Sequence, residues 1–128
     1  MKRSIKKVAV LGSGVMGSRI ACHFANVGCE VLLLDIVPKE AEESKDKNAR
    51  NKLVDDALNF ALKSNPSPIY SKKFVSRITT GNMTDDMSKI ADADWIIEVV
   101  VERLDIKQIV FNNVEKYRKH GSLITSNT

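Results

Sequence analysis

Long hydrophobic runs are missing from this 128-residue chain. No apolar stretch approaches the roughly 20 residues that cross a bilayer, so a soluble chain without membrane insertion is expected. The start, "MKRSIKKVAVL", is basic and then apolar, in the manner of a secretory leader. Only "VAVL" follows before glycines intervene, which is too short for such a leader. Cysteine is scarce. Cys22 and Cys29 fit neither C-x-x-C nor a zinc spacing, so a reducing cytoplasm is the expected compartment. Aromatic residues make up 5% of the chain, and none is interleaved with a basic stripe. That argues against a nucleic-acid partner. The net charge of +4 is spread out and gives a mild field favouring anionic ligands. Repeats, low-complexity tracts and linkers are also missing, which leaves one domain.

What is present suffices for a core. Hydrophobic residues make up 43% of the chain, and charged residues 28%. Residues 7–11, "KVAVL", form a Val-rich run that ends at glycine, as a buried parallel strand does. From Val15 the period changes. Met16, Ile20, Phe24 and Val27 recur at helical spacing, and Gly28 suits the helix end. "CEVLLLD" follows as a second strand closed by Asp35.

Residues 38–64 predict one long helix, with Pro38 in its first turn and "SNPSP" beyond its end. Its first half is polar on every side. Its second half places Leu53, Ala57, Phe60 and Ala61 on one face. "VSRITTG", residues 75–81, predicts a strand, and "DDMSKIADA" a short helix or turn. "DWIIEVVV" predicts a central strand, interrupted by Glu98. Residues 103–121 predict an amphipathic helix with Ile106, Ile109, Val110, Val114 and Tyr117 inward, and "SLITS" the last strand. This alternation implies an α/β fold, a doubly wound parallel sheet of three layers. Ligands of such sheets bind outside the carboxyl ends of the strands.

"GSGVMG", residues 12–17, matches G-x-G-x-x-G. It follows a predicted strand and opens a helix, and Asp35 closes the next strand eighteen positions after Gly17. Together these are the dinucleotide-binding fingerprint. Gly12 permits the tight turn, Gly14 lets the backbone approach a pyrophosphate, and Gly17 lets the helix pack closely. N–H groups around Val15 and Met16 face the phosphates. Asp35 accepts the ribose hydroxyls and repels a 2′-phosphate. Ile36 supplies no basic side chain beside it, so NAD is favoured over NADP. FAD proteins share the fingerprint. The plainer reading is a structural turn beside a solvated strand end.

At the other strand tips, Glu102 suits the nicotinamide half of the cofactor or a substrate, and Lys107 a ribose. A surface ion pair between the two is the simpler alternative. Ser126 and Asn127 could bond a carboxamide or a substrate oxygen, or merely begin a polar loop.

The segments "VAVLGSGVMGSRIA", Asp35, "ADWIIEVVVERLDIKQIVF" and "ITSNT" together resemble the NAD-binding domain of 3-hydroxyacyl-CoA dehydrogenases, over nearly the whole chain. The resemblance implies NAD as cofactor, with Gly12, Gly14, Val15, Met16 and Gly17 along the pyrophosphate and Asp35 at the adenosine ribose. It implies Glu102 and Lys107 beside the nicotinamide ribose, and Ser126 where nicotinamide meets the substrate's 3-oxygen. It also implies an acyl-CoA substrate, β-oxidation, and a homo-oligomeric full-length enzyme. Lys45, Lys47, Arg50 and Lys52 are then candidates for coenzyme A phosphates, against the plainer reading of a solvated helix face. The family's base is a histidine held by a glutamate, after the "SNT" strand and so beyond Thr128. His23 and His120 are read as structural, leaving no catalytic residue in this chain. A related hydroxyacid dehydrogenase and a non-catalytic NAD-sensing or interaction module remain the alternatives.

Overall fold

The computed structural model describes residues 5–37, 39–64, 68–99, 116–117 and 123–126. Five parallel strands form one sheet in the order β3-β2-β1-β4-β5. They are β1 (Lys7–Leu11), β2 (Glu30–Asp35), β3 (Ile78–Asn82), β4 (Trp95–Glu98) and β5 (Leu123–Ser126). The order reverses direction between β1 and β4, so the crevice at their carboxyl ends is the topological switch point.

The sheet is apolar on both faces, as parallel strands covered on both sides must be. Val8, Val10, Val31, Leu33 and Ile97 point to one face. Ala9, Leu11, Leu34 and Ile96 point to the other, where Met87 and Ile90 of a 3-10 helix (Met87–Asp92) cover them. Tyr117 packs on this second face, as its spacing predicts.

Helix α1 (Val15–Asn26) covers the first face with Ala21, Cys22 and Ala25, all fully buried. Of the expected stripe, Ile20 and Phe24 are half-buried and pack against this core, but its two ends do not. Met16 and Val27 are 55% and 63% exposed. Small side chains face the sheet because the helix leaves a tight glycine turn and stays close to the strands. The helix ends as expected. Gly28 takes φ +100°, its N–H donates to the Ala25 carbonyl, and the Cys29 N–H donates to that of Phe24. This is a Schellman cap, which favours glycine.

Residues 38–64 depart from the single helix the sequence predicts. A 3-10 turn (Lys39–Ala41) leads to an irregular stretch, then helix α2 (Lys47–Arg50), then helix α3 (Lys52–Leu62). The early part has no apolar face to bury, so packing cannot support a helix there. Instead Arg50 holds it. Its Nη1 donates to the carbonyls of Ala41, Glu42 and Ser44, and its Nε and Nη2 grip Asp85 at 2.7 and 3.1 Å.

Helix α3 also sits rotated from expectation. It buries Val54, Leu58 and Ala61, while Leu53 and Phe60 are 41% and 71% exposed. Polar contacts along β3 fix this rotation. Thr80 donates to Asp55, and Asn82 to Asn51. Strand β3 begins at Ile78 rather than Val75, because a 3-10 turn (Lys72–Arg77) comes first. Arg77 locks that turn, donating to the Ala25 carbonyl at 2.6 Å and lying 4.3 Å over the Phe74 ring.

The Arg50–Asp85 pair makes acid stability a readout of this architecture. Hydrogen bonds from Arg50, then from Asn82, hold the Asp85 carboxyl below the ordinary carboxylate range. A lowered folded-state pKa contributes stability that is present above the unfolded value, about 4, and lost as pH falls through the lowered one. The pair is partly exposed, so the contribution is modest. Thermal midpoints of wild type and Asp85→Asn should therefore differ near neutral pH and converge on acidification below about pH 4. A gap that stays constant across that range would remove Asp85 from the acid response.

Candidate nucleotide site

The glycine loop lies between the end of β1 and the start of α1. The Gly12 N–H donates to the Leu34 carbonyl at 2.7 Å, extending the β1–β2 ladder by one bond. Gly12 then turns with φ +109°, a conformation that favours glycine. Ser18 returns to the loop, its N–H and its hydroxyl both donating to the Ser13 carbonyl.

Gly17 packs against the loop's own backbone. A Cβ there would fall 1.8 Å from the Gly12 oxygen. Gly14 is the opposite case. It is exposed, and a Cβ on it would meet nothing within 4 Å. It is also the N-cap of α1, with no side-chain cap and no acidic residue in the first turn. An open concavity at the uncapped positive end of a 12-residue helix fits a pyrophosphate. Val15 is the first helical residue, and Met16 is exposed beside it.

Asp35 ends β2 and is bound directly to this loop. Its Oδ2 accepts from the Ser13 N–H at 2.8 Å and from the Ser13 hydroxyl, and its Oδ1 from the Ile36 N–H at 2.7 Å. The acid and the phosphate-facing turn are thus one hydrogen-bonded unit. β3 supports it, since Asn82 stands opposite Asp35 in register and the Met83 N–H donates to the Asp35 carbonyl.

At the switch point β4 ends in Glu98, which is 1% exposed and stands opposite Leu11 on one side and Ser126 on the other. The backbone of Ser126 is thereby placed at the carboxyl end of β5. Glu102 and Lys107 lie outside the described residues, as do His120 and Asn127. Sequence reasoning passed over Ser13 and assigned no site role to Glu98. The available signals were a hydroxyl between two glycines and a carboxylate inside "WIIEVVV".

Several other candidates are occupied elsewhere. Arg50 is committed to Asp85 and three carbonyls, and Lys52 pairs with Asp56 at 3.3 Å. His23 is exposed in the last turn of α1, remote along the helix from the glycine loop. Cys22 and Cys29 are buried free thiols whose pKa values burial pushes up, as packing residues should be. Among the described residues no helix is long and apolar enough to cross a membrane, and no group of three His, Cys, Asp or Glu side chains could hold a metal.

Comparison with known proteins agrees with this geometry. The family profile described as 3-hydroxyacyl-CoA dehydrogenase, NAD binding domain, matches residues 7–128. A probable 3-hydroxyacyl-CoA dehydrogenase of Bacillus subtilis is 48% identical over 136 residues, covering 100% of this chain and 17% of the relative. One from Deinococcus radiodurans is 42% identical over 124 residues, covering 97% and 34%. The crystal structure of 3-hydroxybutyryl-CoA dehydrogenase from Escherichia coli superposes with a TM-score of 0.66 at 27% identity, covering 98% of this chain and 25% of that one. The chain spans only 17% and 34% of the length of the two sequence relatives. Glycine loop, acid partner, strand order and relatives converge: the chain is an NAD-binding domain of the 3-hydroxyacyl-CoA dehydrogenase family.

Proposed function

We propose that this domain presents NAD in an enzyme that oxidises an L-3-hydroxyacyl-CoA to the 3-ketoacyl-CoA in fatty-acid β-oxidation. The observation that carries the reading is the Asp35 carboxylate bonded to the glycine loop at the mouth of the parallel sheet. Bound NAD supplies the hydride acceptor. The chain supplies its seat. Gly12, Gly14, Val15, Met16 and Gly17 hold the pyrophosphate against the start of α1, and Asp35 accepts the adenosine-ribose hydroxyls. Glu102 and Lys107 take the nicotinamide ribose. Ser126 lies where nicotinamide and substrate meet. No residue of this chain is assigned as the base. The acyl-CoA, the cytoplasmic location and a homo-oligomeric enzyme belong to the same proposal, and two buried free thiols suit a reducing compartment.

NADH fluorescence titration tests the seat. Asp35→Ala should weaken NADH by about tenfold or more, since hydrogen bonds to a charged group are each worth about 1.5–3 kcal/mol. Equal affinity in wild type and variant would withdraw Asp35 from the site. The reaction is tested on a whole enzyme carrying this domain. NADH absorbance should fall with a 3-ketoacyl-CoA. Turnover of free hydroxyacids alone would instead favour a related hydroxyacid dehydrogenase.

A further inference from the structure

The residue between the first two glycines is 1% exposed, yet it is a serine. A buried hydroxyl is costly unless it is bonded, and this one is. Both donors of Ser13, its N–H and its Oγ–H, go to one atom, Oδ2 of Asp35. Its carbonyl is held from the other side by the N–H and hydroxyl of Ser18 in α1. Ser13 therefore bridges the first helical turn and the acid at the end of β2. The Ile36 N–H anchors the other carboxylate oxygen at 2.7 Å. Three donors, two on Oδ2 and one on Oδ1, restrain the carboxylate from turning about its own axis, and the Ser13 hydroxyl is the one side-chain donor among them. Asp35 is half-buried, whereas Ser13 is buried.

We infer that Ser13 is the positioning residue for cofactor choice: its two donors hold the Asp35 carboxylate in place toward the adenosine ribose, and so set both NAD affinity and rejection of a 2′-phosphate. The inference rests on the proposed role of Asp35 at that ribose. A fixed carboxylate accepts the ribose hydroxyls without first losing rotational freedom, which preorganises the site. The same fixed negative charge meets a 2′-phosphate with like-charge repulsion and cannot swing aside. Without the hydroxyl, one backbone donor remains on each oxygen, so two bonds hold the carboxylate in place of three and its grip loosens.

The test is a double-mutant cycle read by NADH and NADPH fluorescence titration. It uses the wild-type chain, Ser13→Ala, Asp35→Ala and the double variant. Alanine is smaller than serine, so the substitution introduces no clash, and Ser13→Gly repeats the comparison should the alanine variant fold poorly. Ser13→Ala should weaken NADH about tenfold and lower the NADH-to-NADPH preference, as expected for losing one charge-assisted hydrogen bond. In the Asp35→Ala background the same substitution should change neither affinity by more than about twofold, because coupled residues are not additive. An unchanged affinity and preference in Ser13→Ala overturns the inference. So does an undiminished effect of Ser13→Ala in the Asp35→Ala background, which would mean that Ser13 acts through the fold. If Asp35→Ala alone binds NADH like wild type, the reading of Asp35 fails instead, and the two failures are told apart.

Discussion

Gly17→Ala is expected to abolish measurable NADH binding and to cost at least about 2 kcal/mol of stability, the range for overpacking a tight interior. The added Cβ would stand 1.8 Å from the Gly12 oxygen and 2.8 Å from the Gly12 carbon. Both are backbone atoms, so no side chain can move aside to make room. Gly12 itself is tied to Leu34 and holds a left-handed conformation, so it cannot retreat without breaking the β1–β2 ladder. Moving α1 instead would break the Ser18 bonds to Ser13 and lift Ala21, Cys22 and Ala25 off the sheet. Either path displaces the turn that faces the phosphates. Thermal unfolding and NADH titration on one sample read both effects. A variant with wild-type midpoint and affinity would contradict the packing described for this turn.

Asn82→Ala is expected to cost about 1–3 kcal/mol, because four hydrogen bonds of one buried side chain are lost at once. Asn82 is 2% exposed. Its amide nitrogen donates to Asn51 at 2.8 Å and to Asp85 at 2.9 Å. Its amide oxygen accepts from the N–H groups of Thr84 and Asp85. This one side chain joins the end of β3, the junction between α2 and α3, and the carboxylate that Arg50 grips. Its strand position lies opposite Asp35, so loosening it should also weaken NADH binding. Denaturant unfolding should show a lower midpoint with an unchanged slope. A loss below about 0.5 kcal/mol, the range of ordinary surface substitutions, would mean that the network relaxes without it.

The sequence was most informative where chemistry demands particular residues. The glycine loop, Asp35 and the apolar strands around them lie where the fingerprint and the hydrophobic runs indicate, and Gly28 ends α1 as expected. Residues 38–64 were the least legible. The polar half offers no period to read, and its shape comes from one arginine reaching back to carbonyls that no local pattern reveals. In α3 two apolar stripes lie side by side, and the choice of Val54, Leu58 and Ala61 follows from polar contacts with β3. For α1 the stripe was half legible: Ile20 and Phe24 pack on the core, while the fully buried positions go to small residues because the helix lies close to the sheet. The link between Ser13 and Asp35 joins residues 22 positions apart, and a motif that leaves its second position open is silent about it. The family itself was legible from "IIEVVVERLDIK" and "SNT", although Glu102 and Lys107 fall outside the described residues.

The grip of Arg50 on residues 41–44 has a consequence for how this stretch can change. Arg50 bonds to carbonyl oxygens of Ala41, Glu42 and Ser44, and to no side chain there. Carbonyls are common to all amino acids. The stretch thus keeps its path whatever most of its side chains are, provided Arg50 and Asp85 stay. It is a shape nearly without a sequence, open to drift or to redesign, while its anchor thirty-five positions away must vary in concert with Arg50.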